Sequence, residues 1–137
     1  FAPVRAIANG ETPESAGNKR LGDAGERVAR EYLEGKGYTI LDTNFRCPYG
    51  EVDVVARDGD CLVFVEVRTR SGSNFGRPEE SITPGKERRL IATAETYIQS
   101  RPGLPPQWRI DLVAVEVDRR GRITRIEQTE NAVSDQR

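Results

Sequence analysis

The 137-residue sequence contains no histidine and no methionine, and only two cysteines and one tryptophan. Without histidine, Ser-His-Asp triads, zinc-protease helix motifs and every His-ligated metal site are excluded, because the general base or the ligand is missing. Cys47 and Cys61 are too few for an all-cysteine zinc site and are not spaced as a CxxC pair, so they read as reduced thiols. There is no run of about eighteen apolar residues to cross a membrane. The opening FAPVRAIANG lacks the apolar centre of a secretion signal. The expectation is a cytoplasmic protein. Charge of one sign is also missing: 21 basic residues face 22 acidic ones, for a net charge of −1. This excludes affinity through bulk positive charge, but not a local nucleic-acid site. Catalysis, if present, must use carboxylates, lysine, arginine, thiols or hydroxyls.

What is there has the length of one domain with one core. Residues 1–18, rich in Gly, Pro, Ala, Ser and Glu without periodicity, read as a disordered leader. From Lys19, Leu21, Ala24, Val28, Ala29, Tyr32 and Leu33 recur at helical spacing up to a stop at Gly35 or Gly37. A strand is predicted over Tyr38–Phe45, then a turn at Pro48-Tyr49-Gly50. The runs Glu51–Ala56 and Cys61–Arg68 flank Arg57-Asp58-Gly59-Asp60, a strong hairpin signal. Residues 71–85 read as an exposed loop, and Thr83-Pro84 as the cap and first residue of a second helix ending near Ser100. Arg109–Val117 and Ile123–Gln128 complete the strands, and residues 131–137 read as a flexible tail. A helix between the third and fourth strands favours a parallel pair, whereas the Asp-Gly hairpin is antiparallel. The fold class is therefore α/β, with a mixed sheet flanked by helices in αβββαβ order.

The hairpin predicts a site. With Asp58-Gly59 as the turn, Val55 faces Leu62, Asp53 faces Phe64 and Glu51 faces Glu66. Alternation then puts residues 51, 53, 55, 62, 64, 66 and 68 on one face. Near the turn that face is apolar, but farther along it carries Glu51, Asp53, Glu66 and Arg68. Three carboxylates and one guanidinium sum to −2, and opposed like charges destabilise a sheet unless neutralised. A divalent cation between Asp53 and Glu66 would neutralise them, and an oxygen-only ligand set suits Mg²⁺ or Mn²⁺. The competing reading is a salt-bridge network in which Arg46, Arg68 and Arg70 satisfy the acids without metal.

GDAGERVAREYLEGKGYTIL, NFRCPYGEVDVVARDGDCLVFVEVRTR, FGRPEESITPGKERRL and RIDLVAVEV resemble, in order, the motifs of the small bacterial YraN-type family. That family is placed in the PD-(D/E)XK endonuclease superfamily near the Holliday-junction resolvases. The resemblance covers roughly residues 19–130, taken as an endonuclease-like domain. It implies a restriction-endonuclease-like fold. It also implies that Asp53 and Glu66 bind metal, that Glu66-Val67-Arg68 is the (D/E)XK element, that Glu26 is the helical acid, and that Glu51 belongs to the Gly-Glu-hydrophobic-Asp motif. Read from spacing alone, Glu26 is equally a solvated helix charge. Two positions depart from the superfamily pattern: Val52 stands for its proline and Arg68 for its lysine. A guanidinium stays protonated and can orient or stabilise charge but cannot take a proton from water.

Arg70, Arg77, Lys86, Arg88 and Arg89 follow the third strand and fit a phosphate partner, with a solvated face as the alternative for Arg88 and Arg89. Phe75 and Trp108 are candidates for stacking on bases, although Trp108 after Pro105-Pro106 reads more readily as a lid on the core. The expected activity is Mg²⁺- or Mn²⁺-dependent phosphodiester hydrolysis in DNA, branched or structured. The expected catalytic residues are Glu26, Glu51, Asp53, Glu66 and Arg68, with Arg70, Arg77 and Lys86 binding nucleic acid. The alternative is a nucleic-acid-binding module of the same fold without turnover. Superfamily resolvases act as dimers on two-fold symmetric junctions, so a homodimer is a further expected partner.

Overall fold

The computed structural model describes residues 13–71 and 82–133. Within them the chain runs α1 (Pro13–Gly35), β1 (Thr39–Cys47), β2 (Gly50–Asp58), β3 (Cys61–Ser71), α2 (Pro84–Gln99), β4 (Gln107–Val117) and β5 (Ile123–Val133). The five strands form one sheet in the order β1-β2-β3-β4-β5. Only β3 and β4 are parallel; the other neighbours are antiparallel. The mixed α/β architecture expected from the sequence is the one found.

One helix covers each face of the sheet. Ala29 and Leu33 of α1 pack with Val54, Ala56, Val63, Val65 and Val113. Leu90, Ala94 and Tyr97 of α2 pack with Val55, Leu62, Phe64 and Ile110 on the other face. Because consecutive strand residues point to opposite faces, β2 and β3 must be apolar on both, and their valine-rich runs meet that requirement. Trp108 closes the second cluster, its ring edge-on to Phe64 at 5.9 Å, as the lid reading expects.

Several boundaries differ from the sequence-based ones. α1 starts at Pro13, inside the segment read as a leader; proline tolerates the first helical turn because its missing N–H has no intrahelical partner there. β5 continues through Val133, which is buried against the α2-side core, so the last strand takes in the first residues of the expected tail. α2 begins as predicted, with the Thr83 hydroxyl accepting from the Lys86 amide at 3.2 Å. Residues 1–12, most of the expected loop with Phe75 and Arg77, and residues 134–137 lie outside the described residues. Both cysteines are free thiols.

The hairpin register needs correction. The structure pairs Asp58 with Cys61 and Val55 with Phe64, so the turn residues are Gly59-Asp60 rather than Asp58-Gly59. Gly59 has φ +58°, the left-handed conformation that a type II′ hairpin requires at its first turn residue. Glu51 therefore does not face Glu66. Carried one step past Val54↔Val65, the true register sets Asp53 beside Glu66. A shift of two residues preserves side-chain parity near the turn, but Val52, expected on the face of Val54, packs with Val55 in the α2-side cluster, so strict alternation is lost around Asp53 and does not by itself place the acids on one face.

Candidate active site

The site arises where the sheet divides. Pairing of β2 with β3 ends at Val54↔Val65, whereas β2 stays paired to β1 as far as Gly50, and β3 to β4 as far as Ser71. Beyond that point two acids stand opposite each other, an unfavourable cross-strand pair. The Asp53 carboxylate stands in the opening, its Oδ2 accepting from the Val67 amide at 2.7 Å. A side-chain oxygen thus takes a backbone donor that the interrupted ladder leaves over.

The opening is a cleft of about 400 Å³ lined by Gly50, Glu51, Asp53, Glu66, Val67 and Arg68 from the strands and Lys86, Arg89 and Leu90 from α2. Gly50 lets the helix come close, since a Cβ there would lie 3.3 Å from the Thr93 hydroxyl. Gly25 does the same for α1, where a Cβ would overlap the Thr69 side chain of β3. The neighbouring residue, Glu26, is thereby brought into hydrogen-bonding contact with Asp53.

The acids have different environments. Glu66 is only 5% exposed and is held by two cations: Lys86 Nζ lies 2.7 Å and an Arg68 terminal nitrogen 3.3 Å from its Oε2. Glu51 is exposed and paired with Arg46 across the β1–β2 ladder at 2.9 Å. The salt-bridge reading thus describes Glu51 and part of the Glu66 environment. It leaves Asp53 aside. Burial first, then the Glu66 carboxylate, push Asp53 from its ordinary 3.8 up to about 7; the Val67 amide opposes this and Glu26 adds to it. Burial and the Asp23 carboxylate likewise raise Glu26, against the Arg30 charge.

This donor set fits a hard cation. Among the described residues, no three Asp, Glu or Cys side chains gather into one ligand cluster. A metal here would therefore rest on the Asp53–Glu66 pair, with water or phosphate oxygens completing its shell, as Mg²⁺ characteristically accepts. The carboxylate held protonated well above its usual range is the one such an ion would ionise. The Arg68 Nε–H is buried without a hydrogen-bond partner, a cost of about 1–3 kcal/mol that an anionic oxygen would relieve.

Of the residues singled out from the sequence, the structure gathers Glu51, Asp53, Glu66, Arg68, Lys86 and Arg89 around one cleft, while Glu26 of α1 neighbours Asp53 but lies outside the lining. Arg70 lies two residues farther along β3, beside Glu116 of β4 and outside the lining. Arg88 is exposed on α2 and also outside it. Trp108 sits beside Leu62, roughly 13 Å from Glu66 by the rise of an extended strand. It takes no part in the cleft. Sequence reasoning placed Lys86 on a phosphate-binding rim and missed its contact with Glu66, since only the docking of α2 brings the two together.

Among the described residues no helix is long and apolar enough to cross a membrane. The model of the uncharacterised protein family UPF0102 matches residues 25–135, an interval holding every element after the start of α1. Similar chains include a UPF0102 protein of Dehalococcoides mccartyi, 44% identical over 118 residues, covering 86% of this chain and 96% of that one. A second, of Pelotomaculum thermopropionicum, is 47% identical over 114 residues, covering 83% and 95%. A third, of Kineococcus radiotolerans, is 49% identical over 105 residues, covering 76% and 86%. The likeness takes in most of the chain, which belongs to the UPF0102 family.

Proposed function

We propose that the cleft is a divalent-cation-dependent phosphodiesterase centre acting on DNA, branched or otherwise structured, and that the fold is that of the PD-(D/E)XK superfamily. The observation that supports this most is the convergence of Asp53 and Glu66 in one cleft with Arg68, Lys86 and Arg89. Two close carboxylates without histidine or thiol suit Mg²⁺ or Mn²⁺. When bound, such an ion supplies charge against the phosphodiester and lowers the pKa of an attacking water.

The remaining work falls to this chain. Arg68, with a buried donor to spare, binds the scissile phosphate. Lys86 and Arg89 meet flanking phosphate oxygens from the first turns of α2, where backbone amides add favourable dipoles. Arg70 extends the cationic surface along β3. Glu26 orients Asp53 through their mutual hydrogen bond. Glu51, tethered to Arg46, borders the opening and holds water on its exposed side. A homodimer on two-fold symmetric junctions belongs to the same reading.

Arg68 favours a second reading, a binding module without turnover, because a guanidinium cannot serve as the water-side base. A nicking assay on branched and linear DNA with Mg²⁺ or Mn²⁺ separates the two. The nuclease reading expects chelator-sensitive cleavage that falls about a hundredfold or more in Asp53→Asn, since metal charge is worth several kcal/mol and each 1.36 kcal/mol is tenfold. Salt-sensitive binding without cleavage by the unmodified chain would transfer the assignment to the binding module.

A further inference from the structure

Among the described residues, Lys86 is the cation closest to the buried acid. Its Nζ is 2.7 Å from Glu66 Oε2, whereas Arg68 reaches the same oxygen at 3.3 Å. A buried carboxylate with no counter-charge is strongly destabilising, so Glu66 requires a cation when no metal is bound. A divalent ion shared by Glu66 and Asp53 would have to lie within a few ångströms of the Lys86 ammonium. The two cannot occupy that place together without strong repulsion.

The two basic side chains differ in how readily they yield. Arg68 stands on β3 with the Nε of its guanidinium buried. Lys86 stands in the first turn of α2, its backbone amide anchored by the Thr83 hydroxyl at 3.2 Å, and its ammonium rides on a flexible four-carbon stem. It can swing away without any change in the helix. The cleft also offers it a destination, because a phosphate drawn there by Arg68 and Arg89 needs further positive charge.

We propose that Lys86 is a positioning residue that stands in for the divalent cation at Glu66, is exchanged for it on loading, and then turns its ammonium to the phosphate. The inference rests on the metal reading above. It differs from a purely structural salt bridge in one consequence. Removing a structural partner of Glu66 would disturb the site and weaken cation binding, whereas removing an internal competitor strengthens it.

The test is calorimetric titration of the full-length chain with Mn²⁺, comparing the unmodified protein with Lys86→Met, Lys86→Arg and Asp53→Asn. Lys86→Met is expected to bind Mn²⁺ about tenfold more tightly, Lys86→Arg to stay near the unmodified protein, and Asp53→Asn to lose binding. If Lys86→Met does not fold without metal, Lys86→Gln is read in its place. Equal or weaker binding by the neutral variant, with Asp53→Asn still defective, overturns the exchange role alone. Unchanged binding by Asp53→Asn, or no Mn²⁺ binding by any of the proteins, overturns the metal site and the exchange together.

Discussion

Two aspartates on this sheet share a residue type and differ in almost everything else. Asp111 of β4 is fully buried, and three donors converge on it through four hydrogen bonds. Arg109 Nε lies 3.0 and 3.2 Å from its two oxygens, Gln128 Nε2 at 2.8 Å and the Asn131 amide at 2.9 Å. Arg109 also donates to the Tyr38 hydroxyl at 2.8 Å, joining the start of β1 to β4 and β5. Asp53 is less buried, and among the described residues it accepts from one backbone amide, that of Val67, with the carboxyls of Glu66 and Glu26 as its other neighbours. In the proposed reading burial does not mark the functional acid; a shortage of compensating donors does. Asp111 ties strands together, and Asp53, with fewer donors, is the one the proposed reading gives to a ligand.

Substitutions at the two positions should separate stability from ligand binding. Asp111→Ala leaves the Arg109 charge and the Gln128 and Asn131 donors without their acceptor. It should cost about 3–5 kcal/mol in denaturant unfolding, while leaving the Mn²⁺ affinity of the still-folded fraction unchanged. A loss of Mn²⁺ binding on that folded fraction would break the division.

Asp53 should show itself through pH. A carboxyl raised to about 7 in the folded chain keeps its proton where the unfolded chain has lost it. Its folded state binds the excess proton between roughly pH 4 and 7, so stability is highest at the acid end of that window and falls as pH rises. Between pH 5 and 7 the decline should reach up to about 2–3 kcal/mol, and Asp53→Asn should remove it. A chain whose stability rises over that interval and ignores the substitution would place Asp53 in a satisfied environment like that of Asp111.

Smaller effects sharpen the contrast. Gly25→Ala forces α1 away from Thr69 and should cost about 1–3 kcal/mol. It should also lower the pH-dependent part of the stability, since Glu26 withdraws from Asp53. Arg46→Ala removes only an exposed partner of Glu51 and should change stability by less than about 1 kcal/mol.

Much of this arrangement is legible in the sequence, for a physical reason. Valine-rich runs around Asp58-Gly59-Asp60 fix strands buried on both faces, and Thr83-Pro84 fixes a helix start, because these signals act over a few residues. The register slipped by two because Asp58-Gly59 and Gly59-Asp60 are both plausible turns with Gly59 at positive φ; Asp58, which a type I′ Asp58-Gly59 turn would also hold at positive φ, instead stays in the strand paired with Cys61. That slip keeps parity near the turn, but Val52 packs on the opposite face from Val54, so the acids meet in one cleft without strict alternation. What escaped depends on distant packing. The division of the sheet after Val54 and the approach of Lys86 to Glu66 bear no local signature. The Asp111 network left a fainter trace, a lone acid two residues after Arg109 in an otherwise apolar strand, but its partners on β5 and at Tyr38 are far away in sequence.

The central claim is that Asp53 and Glu66 together hold a divalent cation, and crystals soaked in Mn²⁺ test it most directly. Anomalous scattering should reveal an ion between the two carboxylates, within about 2.2 Å of an oxygen of each, with the Lys86 ammonium moved off Glu66. A cleft without anomalous density, in which Lys86 still pairs with Glu66 at high Mn²⁺, would contradict it.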